Sequence, residues 1–199
     1  MTKKIGITGG IGSGKSVISR LLSIMGYPVY NSDSWAKFLM NNNNDIKKSL
    51  ISRFGNEVYD SNGLNKPFLA QQIFNNPKAL SFVNSIVHPI VTEHFCNWAK
   101  EQKKELVFIE SAILFSSKLN EIIDDIIFVD SSEEIRLNRA MKRDKASAEA
   151  ILARIKTQKT EENHARLNSN HIIINDNKQL IIPQILSIIN NITQKNKAD

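Results

Sequence analysis

Short apolar runs alternate along this chain with longer stretches in which apolar side chains recur every three or four residues. Residues 4–8 (KIGIT) read as a buried strand that runs into a glycine cluster. Residues 15–25 (KSVISRLLSIM) place Val17, Ile18, Leu21, Leu22 and Met25 at the spacing of an amphipathic helix, which Gly26 ends and Pro28 seals. A second short strand follows at Val29 and Tyr30 and reaches Asn31-Ser32-Asp33. From Trp35 to about Ala99 the periodicity is mostly helical, broken by the asparagine run at 41–44 and by a polar turn near 60–63. Asn76-Pro77 has the form of an N-cap with proline at the first helical position. Strand character returns at 106–109, 126–129 and 172–174, and an isoleucine-rich helix closes the chain. Ser131-x-x-Glu134 has the spacing of a capping box at the start of a basic helix. Residues 195–199 read as a frayed tail. Five apolar strands separated by helices predict an α/β fold with a parallel sheet covered on both faces.

Composition changes this picture little: 199 residues with 41% hydrophobic and 23% charged side chains suit one well-buried domain rather than disorder. No apolar run approaches a membrane span or a signal segment. The single Cys96 cannot form an internal disulfide and fits a reducing compartment. Together these features predict a cytoplasmic protein that makes no contact with a membrane. Cys96 itself lies in an apolar-periodic stretch, which favours a small packed residue over a nucleophile.

Charge adds more. The net charge is +6, and residues 136–159 carry all of it, with eight Lys/Arg against Asp144 and Glu149. No aromatic side chain in that segment could stack on a base and no nucleic-acid motif accompanies it, so phosphate on a small molecule is the expected partner rather than nucleic acid. Arg136, Arg139 and Arg143 fall at i, i+3 and i+7, on one helix face. They form either a basic lid over a nucleotide or a solvated face.

The chemistry concentrates at Gly9-Gly10-Ile11-Gly12-Ser13-Gly14-Lys15-Ser16, which matches G-x-x-x-x-G-K-[ST] between a strand and a helix. Backbone N–H groups of Gly10, Ile11, Gly12, Ser13, Gly14, Lys15 and Ser16 are expected to cradle the phosphates of ATP. Lys15 would reach the β- and γ-phosphates and the Ser16 hydroxyl would ligate Mg²⁺. The dinucleotide fingerprint fails because position 15 is Lys15. A GTPase would carry N-K-x-D, which is absent, and Asp60-Ser61-Asn62-Gly63 matches D-x-x-G in a polar turn with no apolar strand ahead. A motor would need an apolar strand ending in adjacent carboxylates, which 108–110 and 128–130 match only partly. A small-molecule kinase needs a carboxylate by the acceptor hydroxyl. Asp33, just beyond the second strand, either fills that role or caps the next helix.

Beyond the loop, the sequence resembles the dephospho-coenzyme A kinase family over about residues 4–177. IGITGGIGSGKS is similar to that family's LTGGIGSGKS, and 29–33 resemble its V-I-D-A-D segment. Asn84-x-x-Val87-His88-Pro89 resembles L-N-x-x-x-H-P, 139–144 resemble R-x-M-x-R-D, and Arg154-x-x-x-Gln158 resembles a further lid motif. The resemblance implies a three-layer P-loop kinase fold with a five-stranded parallel sheet, in one domain spanning 1–199. Within it lie a core of about 1–31, 105–130 and 170–199, a helical substrate part of about 32–104, and a lid of about 131–169. It implies ATP and dephospho-coenzyme A as substrates with Mg²⁺, Asp33 as base towards the ribose 3′-hydroxyl, and His88 on the substrate side. Lys15 and Arg139 would complete the catalytic set, with Arg139 and Arg143 on ATP. Asn31 replaces the first aspartate of the family segment, Lys37 stands where arginine is common, Val17 replaces a threonine, and 110–115 lose a proline. The alternatives are a P-loop kinase for another metabolite and a nucleotide-gated binding module.

Overall fold

The computed structural model describes residues 2–195. Its core is a five-stranded parallel sheet in the order β2-β5-β1-β6-β7, built from β1 (Lys3–Thr8), β2 (Val29–Asn31), β5 (Leu106–Glu110), β6 (Asp125–Asp130) and β7 (His171–Ile174). β1 lies at the centre, with Ile7 opposite Glu110 on one side and Ile127 on the other. The strands are short and apolar because both sheet faces are covered. On one face Ile5, Ile7, Phe108, Ile127, Val129 and Ile173 pack with Ile18 and Leu22 of α1 (Lys15–Ile24) and with Ile185, Ile188, Ile189 and Ile192 of α8 (Ile181–Lys195). Of the apolar positions expected to face the core from α1, Leu21 and Met25 are partly covered and Val17 is exposed. The remainder of the expected tail, 196–199, lies outside the described residues.

β7 is an edge strand. Its row of unpaired main-chain groups is partly closed by Gln184 of α8, whose Oε1 accepts from Ile174 N at 2.8 Å and whose Nε2 donates to Ile174 O at 3.0 Å.

The chain divides into two compact units, 1–30 with 102–199, and 31–101. In the second, α2 (Ser32–Asn42), α3 (Asn44–Phe54) and α4 (Lys66–Ile73) pack around α5 (Pro77–Glu101), with a small hairpin of β3 (Tyr59–Asp60) and β4 (Gly63–Leu64). α5 buries Ala79, Val83, Val87, Val91, Phe95 and Ala99, every fourth residue. A repeat of four against 3.6 residues per turn makes that stripe wind around the helix, so one helix serves several neighbours in turn. Asn76 Oδ1 accepts from Ala79 N at 3.1 Å, the cap expected ahead of Pro77. The asparagine run is mostly helix rather than loop. Asn41 and Asn42 finish α2, and Asn43 alone breaks the path and caps α3 through Asp45 N and Ile46 N.

In the first unit, α6 (Glu133–Asp144) and α7 (Ala148–Leu167) form a helical pair between β6 and β7. Ala140, Ile151 and Ile155 are its buried centre, against which Leu137, Met141 and Ile11 pack. The cap of α6 is Ser132, whose Oγ accepts from Ile135 N, and not Ser131 as the S-x-x-E spacing suggested. Ser131 instead turns inward and is buried. Among the described residues no helix is long and apolar enough to cross a membrane.

Candidate active site

The carboxyl end of the central strand opens into the loop 9–16, and α1 begins at Lys15 directly behind it. Gly14 is the N-cap residue of α1 with φ +98°, a left-handed conformation that strains any residue with a Cβ. The Lys15 ammonium donates to Gly9 O at 2.8 Å and Gly10 O at 3.2 Å, so it bends back over the loop. The Ser16 hydroxyl is exposed, with no protein hydrogen bond among the described residues. Mg²⁺ keeps most of its waters and takes one or two protein oxygens beside the phosphates, so a free hydroxyl at this position fits it without a carboxylate cluster.

The two glycines that the motif leaves open are required by the helical pair. A methyl group on Gly10 would strike Arg136 Nη1 and the Glu162 carboxylate, and one on Gly12 would strike the Arg136 backbone. Arg136 and Glu162 form an ion pair at 2.7 Å with side chains 6% and 18% exposed. On the same side, Gln158 Oε1 accepts from Ile11 N at 3.2 Å. α6 and α7 therefore rest on the first half of the loop.

The second half is held from β7. Asn175 Nδ2 donates to Ser13 O at 2.7 Å, and Arg139 Nη1 donates to the same oxygen at 3.4 Å. Arg139 Nη2 also donates to Asn175 Oδ1 at 3.1 Å and to Asn177 Oδ1.

The expected arginine stripe thus separates into three environments. Arg136 is buried and neutralised by Glu162, so the solvated-face reading fails for it. Arg143 is exposed and pairs with Asp144 at 2.7 Å, an acid that Arg154 also contacts at 2.9 Å. The hydrogen bond from Arg143 is the main reason the Asp144 carboxyl sits below its usual range, with the charges of Arg143 and Arg154 adding to it. Arg139 has only neutral oxygens as partners, and its full positive charge stays at the loop.

Asp33 and His88 lie in the other unit. Asn31 Oδ1 accepts from Ser34 N at 2.8 Å and caps α2, which leaves Asp33 in the first turn without the capping role weighed for it. That bond also gives Asn31 a structural duty of its own. His88 sits in α5 beside Pro89, and partial burial pushes its imidazole pKa below the ordinary 6.5. Cys96, also in α5, is half-buried. The sequence reading did not single out Glu162, Asn175 or Asn177. The signal for the asparagines was their place just past the carboxyl end of a parallel strand, where such sheets bind ligands. Glu162 had none, because its partner lies 26 residues away across a helical hairpin.

Strand, loop and helix in this order, with a lysine and a hydroxyl at the helix start and an uncompensated guanidinium alongside, belong to the P-loop kinases. The family model described as Dephospho-CoA kinase matches residues 3–180, and the chain belongs to that family. A dephospho-CoA kinase of Porphyromonas gingivalis is 44% identical over 191 residues, covering 96% of this chain and 95% of the relative. A crystal structure of a Thermus thermophilus protein superposes with a TM-score of 0.82 at 29% identity, covering 94% of this chain and 96% of that one. The dephospho-CoA kinase of Campylobacter jejuni has the same fold, with a TM-score of 0.71 at 23% identity over 98% of this chain and 100% of that one.

Proposed function

We infer that the protein transfers the γ-phosphoryl group of ATP to the ribose 3′-hydroxyl of dephospho-coenzyme A, giving coenzyme A and ADP. Family membership over most of the chain supports the substrate. The observation that carries the chemistry is a phosphate loop braced on both sides, with the Lys15 ammonium bent back over it and the Arg139 guanidinium beside it.

In this reading the N–H groups of residues 10–16 other than those of Ile11 and Ser13, which donate to Gln158 and Gly10, hold the triphosphate together with Lys15, and Ser16 would hold Mg²⁺. When bound, the metal neutralises charge on the β- and γ-oxygens. Asp33 orients the acceptor hydroxyl and takes its proton. Arg139, joined by Arg143 when it leaves Asp144, stabilises charge on the transferring group, mainly in the transition state. The helical part at about 32–104 holds the acceptor, with His88 on its substrate side. Residues of about 131–169 act as the lid, and about 1–31, 105–130 and 170–199 form the core. The expected setting is the cytoplasm, where both substrates are available.

Turnover with dephospho-coenzyme A, adenosine and AMP as acceptors tests this assignment. A much higher kcat/KM for dephospho-coenzyme A, with the new phosphate on the 3′-oxygen by NMR, is expected. Equal or better turnover of adenosine would leave a P-loop kinase with a different acceptor.

A further inference from the structure

The Ser13–Gly14 peptide of the loop is held by two side chains from outside it. Its carbonyl takes two donors, Asn175 Nδ2 at 2.7 Å and Arg139 Nη1 at 3.4 Å. A trans peptide points its C=O and N–H in opposite directions. Drawing the Ser13 oxygen towards β7 therefore turns the Gly14 N–H to the opposite side. That N–H has no protein acceptor among the described residues. It is one of the unsatisfied donors at the start of α1, whose partial positive charge suits an anion.

Asn175 is built for this task. It is 6% exposed, its main-chain N–H donates to Asp130 O at 2.8 Å, and so β6 fixes where its side chain starts. The carboxamide occupies the space where a Cβ on Gly14 would lie. It must donate to a carbonyl and accept from a guanidinium at once, since Arg139 Nη2 donates to Oδ1 at 3.1 Å. An amide does both from two separate atoms, whereas a carboxylate has no donor and an aliphatic chain has neither.

We propose that Asn175 is a positioning residue for phosphate binding, which locks the Ser13–Gly14 peptide so that the Gly14 N–H faces the phosphate chain and ties that peptide to Arg139. The role acts through Gly14 and Arg139 and involves no contact with the nucleoside. It rests on the loop being a polyphosphate site and is independent of which acceptor is phosphorylated.

Two neutral variants test it, Asn175→Ala and the similarly shaped Asn175→Leu. Binding of inorganic tripolyphosphate, ATP and adenosine is measured by calorimetry with Mg²⁺ present, alongside thermal melting. Loss of one anion-directed hydrogen bond and of its orientation should weaken tripolyphosphate and ATP alike, by roughly tenfold or more, with adenosine unchanged. In ¹⁵N-glycine spectra the Gly14 amide should move downfield with tripolyphosphate in the parent and much less in the variants, while the Gly12 amide responds in both. Weakened ATP with unchanged tripolyphosphate would make Asn175 a nucleoside contact and overturn the proposal. Unchanged binding of both, or failure of both variants to fold, would overturn it too, the latter assigning Asn175 to stability alone. No acceptor is present in these measurements, so failure of dephospho-coenzyme A turnover would leave their outcome intact.

Discussion

Gln158 accepts the main-chain N–H of Ile11 at 3.2 Å, which fastens α7 to the phosphate loop across 147 residues of sequence. Ile11 adds to the same attachment by packing its side chain against the buried centre of α6 and α7. Gln158→Ala removes the acceptor and leaves the apolar contact. ATP should bind about three- to tenfold more weakly, the worth of one neutral hydrogen bond, with little change in melting temperature. Calorimetric titration checks this; parental affinity would reduce the bond to a passive contact.

Asp33 and Lys15 should fail in different ways. Asp33→Asn leaves the Asn31 cap of α2 untouched and removes only the carboxylate proposed as the base. Its kcat should fall by about 10²–10⁴ with ATP affinity nearly unchanged. Lys15→Ala should lower ATP affinity and transfer together, since the ammonium is expected on the β- and γ-phosphates. Steady-state kinetics beside direct ATP titration separate the two patterns, and a parental kcat in Asp33→Asn would remove it from the reaction.

The arginines of α6 should divide between stability and catalysis. Arg136→Ala strands the mostly buried Glu162 carboxylate, and breaking such a pair costs roughly 3 kcal/mol or more. Arg139→Ala loses hydrogen bonds to neutral oxygens only, so it should melt close to the parent while kcat drops sharply. Arg139→Lys should recover part of that loss, because the charge stays and the fork does not. Chemical denaturation and kcat for each variant supply the comparison; equal stability losses would contradict the division.

His88 should make the protein sensitive to acid. Burial lowers its pKa in the fold, so the unfolded chain takes up the proton first as pH falls. Its contribution is therefore absent above the ordinary value of 6.5 and grows unfavourable below it, until the folded form titrates as well. His88→Gln should flatten the stability curve just below pH 6.5 relative to the parent. Denaturant midpoints across that window give the slope, and identical slopes would show that another group dominates.

The sheet, its order of elements and the loop were legible because they depend on local signals. An apolar run of four or five residues, a glycine cluster and a helical period each declare themselves within a dozen positions. Lys15 and Ser16 could be placed for the same reason. The braces on the loop could not. Gln158, Glu162 and Asn175 act on residues more than a hundred positions away or across a hairpin, and nothing beside them in the chain marks the partner. The fates of Arg136, Arg139 and Arg143 diverged although helical spacing treats them alike, because each meets a different neighbour. Two local signals also misled. Ser131 has the spacing of a cap, yet it directly follows β6, is buried there and leaves the cap to Ser132. Asp33 lost its capping alternative because α2 starts earlier than Trp35 and takes Asn31.

The two bonds from Gln184 to Ile174 bear on how the molecule behaves in a crowd. Ile172 and Ile174 leave 44% and 38% of their surface open on an outermost strand, the profile of a segment that recruits other chains. A strand approaching from another molecule would first have to expel a side-chain amide that already imitates its main chain, satisfying both the donor and the acceptor of Ile174. One glutamine thus stands in for a neighbouring strand at Ile174 on an isoleucine-rich border.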